Sequence, residues 1–138
     1  MNFFKRTIIL TTLTLSLFAA TLLLQEALKM YQNNTLNKHP KAVSALIKEA
    51  QNSADAAFVL ATSYKDGKIG AVNLKEAYHW YTKAAKMGDA DAMLMLGWIY
   101  YSGKLFGSSD IEKAKQWFSK AANQGIDEAI EMLEILNS

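Results

Sequence analysis

From Ala54 onward the apolar residues recur at helical spacing and never alternate with period two. Ala57, Leu60, Ala61 and Tyr64 fall at i, i+3, i+4 and i+7, which is one face of a 3.6-residue helix. Met93, Leu96, Gly97 and Tyr100 repeat that face. A second type of helix follows each of these, carrying Ala77, Trp80, Tyr81, Ala84 and Ala85 in the first instance and Ala114, Trp117, Phe118, Ala121 and Ala122 in the second. With one proline and seven glycines in 138 residues, little interrupts helix formation. The pattern predicts an all-α domain of paired helices.

The pairs are copies of one another. ADAAFVLATSYKDG at Ala54–Gly67 reappears as ADAMLMLGWIYYSG at Ala90–Gly103, and NLKEAYHWYTKAAKMG at Asn73–Gly88 as DIEKAKQWFSKAANQG at Asp110–Gly125. The second offset is one residue longer than the first, so the extra residue falls between Gly103 and Asp110, in a loop. Small residues alternate with aromatics, because an Ala or Gly lets two helices approach while an aromatic from the neighbour fills the space between them. Gly67, Gly88, Gly103 and Gly125 stand where helices should stop. Asn73 and Asp110 stand where the second helices should start, each able to cap free N–H groups, and Asn73 with Glu76 has capping-box spacing.

These residues, in the pattern A-x-x-x-L-(G/A)-x-x-Y-x-x-G followed by K-A-x-x-W-(Y/F)-x-K-A-A-x-x-G, resemble the Sel1-like repeats, relatives of the tetratricopeptide repeats. Ala61 departs from the usual glycine, and a third copy beginning at Asp127 has only its first half. The resemblance implies a short right-handed α-solenoid of antiparallel helix pairs whose concave face docks peptides or proteins, often as an adaptor in bacterial signalling, envelope or secretion assemblies. Repeats are expected at about 54–89 and 90–126. Helices at about 42–51, which matches no motif, and 127–137 are expected as end caps covering the exposed core of the array. Together they give a repeat domain over 41–138.

Upstream the pattern changes character. Lys5 and Arg6 precede eighteen uncharged positions, TIILTTLTLSLFAATLLL at 7–24, which have no hydrophilic face. The stretch is near the lower limit for crossing a ~30 Å hydrocarbon layer and long for a secretory signal core. Leu17 and Phe18 precede the Ala19-Ala20 pair, so no A-x-A cleavage site forms there. The expectation is an uncleaved N-terminal hydrophobic helix over 1–24, a single-pass anchor in a bacterial inner membrane with Lys5 and Arg6 cytoplasmic and the C-terminal domain periplasmic. Cleavage and release to the periplasm or exterior is the alternative. Asn33, Asn34, Asn37 and Pro40 predict a polar tether over 25–40.

Composition narrows the chemistry. The net charge of +2 resides in the first 29 residues; from Met30 onward twelve lysines face twelve acids and no arginine follows position 6, a poor footprint for nucleic acid. Without cysteine there is no disulfide, thiolate metal site or thiol nucleophile. His39 and His79 have no sequence partner that would define a metal or catalytic site, and Asp89 and Asp91 begin a helix, where acids cap it. No catalytic motif, cofactor motif or small-molecule site is expected. One feature stands out. If Leu96 marks the core direction, 100° per residue gathers Leu94, Trp98 and Tyr101 on the opposite side of the same helix, with Phe58 the counterpart of Leu94 in the first repeat. Trp98 and Tyr101 are expected to be exposed, and all four form the candidate protein-binding surface. The expected function is a non-enzymatic, membrane-anchored scaffold for a protein partner in the envelope; a self-associating unit and an accessory subunit of an envelope enzyme are the alternatives.

Overall fold

The computed structural model describes the backbone from residue 3 to residue 138 and the side chains from residue 15. The described residues form seven α-helices and one short 3-10 turn, and no strand. Helix α1 runs Phe3–Gln32, α2 Pro40–Glu49, α3 Ala54–Lys65, α4 Leu74–Lys86, α5 Ala90–Ser102, α6 Ile111–Ala122 and α7 Asp127–Asn137, with the 3-10 turn at Leu36–Lys38. The tightest pairings are α3 with α4 and α5 with α6, joined by α4 against α5 and α6 against α7. This is the chain path of a short α-solenoid, with each repeat supplying one antiparallel pair.

Each repeat helix begins at a side-chain cap. Ser53, Asn73, Asp89 and Asp110 accept hydrogen bonds from the backbone N–H of Ala56, Glu76, Ala92 and Lys113 at 3.2, 3.1, 2.6 and 3.0 Å. Each cap contributes about 1 kcal/mol. The two inter-helix loops are pinned alike, because the carbonyls of Tyr64 and Tyr100 accept from the N–H groups of Asn73 and Asp110, both at 2.9 Å. Gly67, Gly88, Gly103 and Gly125 follow α3, α4, α5 and α6 with positive φ. At Gly103 the reason is steric as well, since a Cβ there would collide with the backbone of Ser108 and Ser109, where the longer loop folds back.

The core is made of small residues beneath aromatics. Tyr81 and Phe118 are the largest fully buried side chains, and the ring of Phe118 lies where a Cβ on Gly97 would be, 2.5 Å from the ring carbons. Gly97 therefore sets the distance between α5 and α6. In the first repeat the equivalent pair is Ala61 and Tyr81, both buried, and the Tyr81 hydroxyl meets Thr62 Oγ1 at 3.0 Å. Trp80 is 6% exposed. Trp117, its counterpart in the second repeat, is only half-buried, with Lys120 Nζ 4.1 Å from its ring centroid. Both α5 and α6 follow Trp80 along the array, but α7 alone follows Trp117.

The polar tether expected at 25–40 is replaced by packed structure. Gln25–Gln32 continues α1, and Ala27 and Leu36 are buried. The residues explain it: QEALKMYQ is a favourable helix sequence, and Leu24, Ala27 and Met30 fall on one face that packs against the core. The helix does end at the asparagines, and Pro40 opens α2 at its first turn, where a missing N–H costs nothing. Among the described residues no helix is long and apolar enough to cross a membrane. Positions 7–14 of the apolar stretch lie outside the residues whose side chains are described.

Candidate protein-binding cleft

Helices α3 and α5 occupy the same place in successive repeats, and between their C-terminal halves lies a cleft of about 350 Å³. Met95, Trp98, Ile99 and Ser102 of α5 form one wall, Lys65 of α3 the other, and Leu74 and Tyr81 of α4 the floor, with Lys104 and Leu105 closing the end. Met95, Trp98, Ile99 and Ser102 fall at i, i+3, i+4 and i+7, so helix geometry alone brings them to one side. The lining is largely apolar, and its ionic groups sit at one end, where Lys65 pairs with Asp66 at 3.2 Å.

Trp98 is held rather than free. Its ring meets Phe118 and Tyr101 edge-on, at centroid distances of 5.5 Å for each. Its Nε1–H donates to Glu128 Oε1 of α7 at 2.9 Å. A half-buried indole fixed by an edge contact on a core ring and by one hydrogen bond is pre-ordered for contact, because little rotamer freedom remains to be lost on binding. Below it, burial pushes the Tyr81 phenol up to about 12, against the opposing effect of its Thr62 hydrogen bond. Tyr81 is therefore a neutral hydrogen-bonding floor at physiological pH.

The four residues singled out from the sequence divide. Tyr101 is 38% exposed and stacks edge-on with Trp98. Leu94, at 5% exposure, is core and cannot contact a partner, which corrects its assignment to the surface. It is buried because α5 sits in the middle of the array and loses more than one face to its neighbours. Phe58 is half-buried against Tyr81 and lines a separate crevice of about 120 Å³ between α1 and α3, with Leu28, Tyr31, Val59 and Thr62. Trp98 itself is half-buried, not the exposed residue expected. The sequence reading missed Met95, Ile99 and Lys65. Their signal was available in the spacing from Met95 to Ser102, but the lysine comes from the neighbouring repeat and only the packing brings it near.

Nothing in the cleft assembles acid, base and nucleophile. Among the described residues no three His, Asp or Glu side chains are grouped as metal ligands. Asp89 caps α5, and its carboxyl is raised above the ordinary range chiefly by burial. His79 packs edge-on against Trp80.

Comparison with known proteins bears on the same residues. The family model described as Sel1 repeat matches 54–89 and 90–126. Among solved structures, that of a Sel1 repeat protein from Oxalobacter formigenes is similar at a TM-score of 0.70 and 25% identity, over 84% of this chain and 48% of that one. The chain thus spans about half the length of that structure. No curated protein matches.

Proposed function

Because the chain belongs to the Sel1 repeat family, whose repeats mediate protein–protein interaction, we propose that it is a non-enzymatic scaffold that takes a segment of a partner protein into the cleft between α3 and α5. The observation that carries this reading is the pre-ordered Trp98, held by Phe118, Tyr101 and Glu128 in a cleft floored by Leu74 and Tyr81. An aromatic anchor in a cleft with a polar margin has the form of a binding hot spot. Lys65 and Lys104 at one end favour a segment with an apolar side chain followed by an acidic one.

The scaffold is held at a membrane by the apolar stretch 7–24. Two features support this. Lys5 and Arg6 flank the stretch on one side, and α1 leaves Leu15, Leu17, Phe18 and Leu22 exposed, from 48% to 73%, which a helix in water avoids. On this reading, in a bacterial cell, Lys5 and Arg6 stay cytoplasmic and the repeats are periplasmic.

Purification from native membranes in mild detergent tests the reading, with wild type compared against Ile99→Asp, which puts a charge in the cleft wall. The reading expects a stoichiometric second chain with wild type that is lost from the folded variant. A second copy of this same chain as the sole associate would favour self-association, for which the exposed Ile130 and Ile135 of α7 are the available surface. Retention of the second chain by Ile99→Asp would remove the cleft from the site.

A further inference from the structure

We propose that the end of α1 and the whole of α2 form a third, divergent repeat. On the membrane-held reading above, this builds the apolar helix into the solenoid. It sets one edge of the array against the lipid headgroups and leaves the cleft open to a water-soluble partner segment.

The divergent repeat is visible at three levels. Lys41, Ala42, Leu46, Lys48 and Ala50 stand seventy-two residues before Lys113, Ala114, Phe118, Lys120 and Ala122, without a gap. Leu46 and Ala50 are fully buried, as are Phe118 and, in α4, Tyr81. At the end of α1, Tyr31 and Asn34 have the spacing of Tyr64 with Gly67 and of Tyr100 with Gly103. Asn34 has φ 57°, beside 69° at Gly67 and 65° at Gly103, and is the one non-glycine with positive φ among the described residues. Asparagine is the residue that best tolerates this conformation after glycine. The similarity to the solved Sel1 structure covers 84% of the chain, whereas residues 54–138 are about three fifths of it. The likeness therefore extends upstream through α2 into α1.

This places α1 beside α3 and parallel to it. Along the pair, Leu28 and Tyr31 of α1 line one crevice with Phe58, Val59 and Thr62 of α3. Further on, the Tyr31 hydroxyl donates to Asp66 Oδ2 at 2.5 Å, and Lys68 Nζ donates to Asn34 Oδ1 at 3.0 Å. The Lys68 ammonium also lies 5.6 Å from the Tyr31 ring centroid. Traced backward, α1 passes the start of α3 near Leu22 and continues alone beyond the edge of the array. The uncharged part of that projection, residues 7–22, is ~24 Å at 1.5 Å per residue, about one helical turn short of a ~30 Å hydrocarbon core, which leaves no spare length between the array and the lipid. Leu15, Leu17, Phe18 and Leu22 are exposed on it, with Leu15, Phe18 and Leu22 along one face at 100° per residue and Leu17 well to one side of it. None of the eighteen positions from 7 to 24 is charged, so no side of the helix is set aside for water; a protein partner would cover one side, whereas lipid covers every side.

The edge from which α1 projects carries the α2–α3 turn and the α4–α5 turn, because α4 runs back against α3. Lys83 near the end of α4 donates to Gln51 in the α2–α3 turn, fixing the two together. Met87 lies on this edge, 38% exposed. Lys65, Ser102, Lys104 and Leu105, which line the cleft where α3 and α5 end, lie on the opposite edge, ~17 Å farther along α3. A membrane-spanning helix cannot reach that end, but a soluble chain can.

The chain has no cysteine, so Met87→Cys and Lys104→Cys each give one site for a fluorophore on an exposed side chain. The full-length variants are reconstituted into phosphatidylcholine–phosphatidylglycerol vesicles containing lipids with a spin-labelled headgroup. Flotation after an alkaline wash comes first: a chain that does not float overturns both the membrane-held reading and the orientation. For a chain that floats, the inference expects several-fold stronger quenching at position 87 than at 104. It also expects the difference to vanish when six Gly and Ser residues are inserted between Leu24 and Gln25. Equal quenching at the two positions without the insert, or a difference that survives the insert, overturns the orientation while leaving the membrane-held reading intact.

Discussion

Gly97→Ala isolates the packing on which the second repeat depends. In an exposed helix interior this change stabilises by about 1 kcal/mol, because glycine forfeits more backbone entropy than alanine. At Gly97 the new methyl would stand 2.5 Å from the ring carbons of Phe118, which is fully buried and has no free direction in which to swing. Overpacking of a core by one carbon costs about 1–3 kcal/mol. The collision exceeds the helix gain, and we expect a net loss of about 1 kcal/mol, which for a domain near 100 residues lowers the melting temperature by roughly 4–8 °C. Equilibrium denaturation by urea, followed by circular dichroism, measures it. Phe118→Leu, which removes the ring, supplies the control. Alone it destabilises, but in its presence Gly97→Ala should become neutral or favourable, a coupling of about 1 kcal/mol or more. A stabilised Gly97→Ala single variant would refute the contact between Gly97 and Phe118 and with it the close approach of α5 and α6.

Three further outcomes follow from the same packing. Trp98→Ala should cost about 1–2 kcal/mol in the same denaturation assay, since it loses an edge contact on Phe118 and the Glu128 hydrogen bond but not a fully buried site; a loss above about 4 kcal/mol would mark Trp98 as core. Trp80→Ala should cost about 3–5 kcal/mol and Trp117→Ala clearly less, because only the former is buried; equal losses would contradict the asymmetry. Asp89→Asn keeps the cap, since asparagine caps as well as aspartate, and removes a carboxylate whose ionised form burial disfavours. A carboxyl raised in the fold binds its proton more tightly there than in the unfolded chain. Its penalty is therefore present above the folded pKa and fades as pH falls toward the ordinary 3.8. The variant should melt above wild type at pH 7 and with it near pH 3; the reverse order would deny the burial.

The repeat itself was legible in the sequence because its signals are local. Alternating small and aromatic residues, glycines at helix ends and caps at helix starts each act within one helix or turn, and Asn73, Asp89 and Asp110 do in the structure what their positions implied. Non-local consequences were less legible. Leu94 sits opposite Leu96 on α5, a polar position in a helix with one buried face, but the middle helix of an array is covered on more than one side. Asn34 resembles a helix breaker and is one, yet it breaks the helix in the way Gly67 does, closing a repeat instead of opening a tether. Leu46 stands in place of an aromatic and hid the kinship of α2 with α4 and α6. The cleft escaped notice because half of it belongs to α5 and the other half to α3 and α4, which spacing along one helix cannot bring together.

The central claim is that a partner segment enters between α3 and α5, and site-specific photo-cross-linking addresses it most directly. A photoreactive amino acid replaces Ser102, exposed at the cleft, or Gln116, exposed on α6, in the full-length chain, and irradiation is carried out in native membranes. We expect one discrete adduct from position 102, absent from position 116 and lost when Ile99→Asp is added. Adducts of the same size and yield from both positions, or an adduct at 102 that Ile99→Asp leaves unchanged, would contradict binding in the cleft.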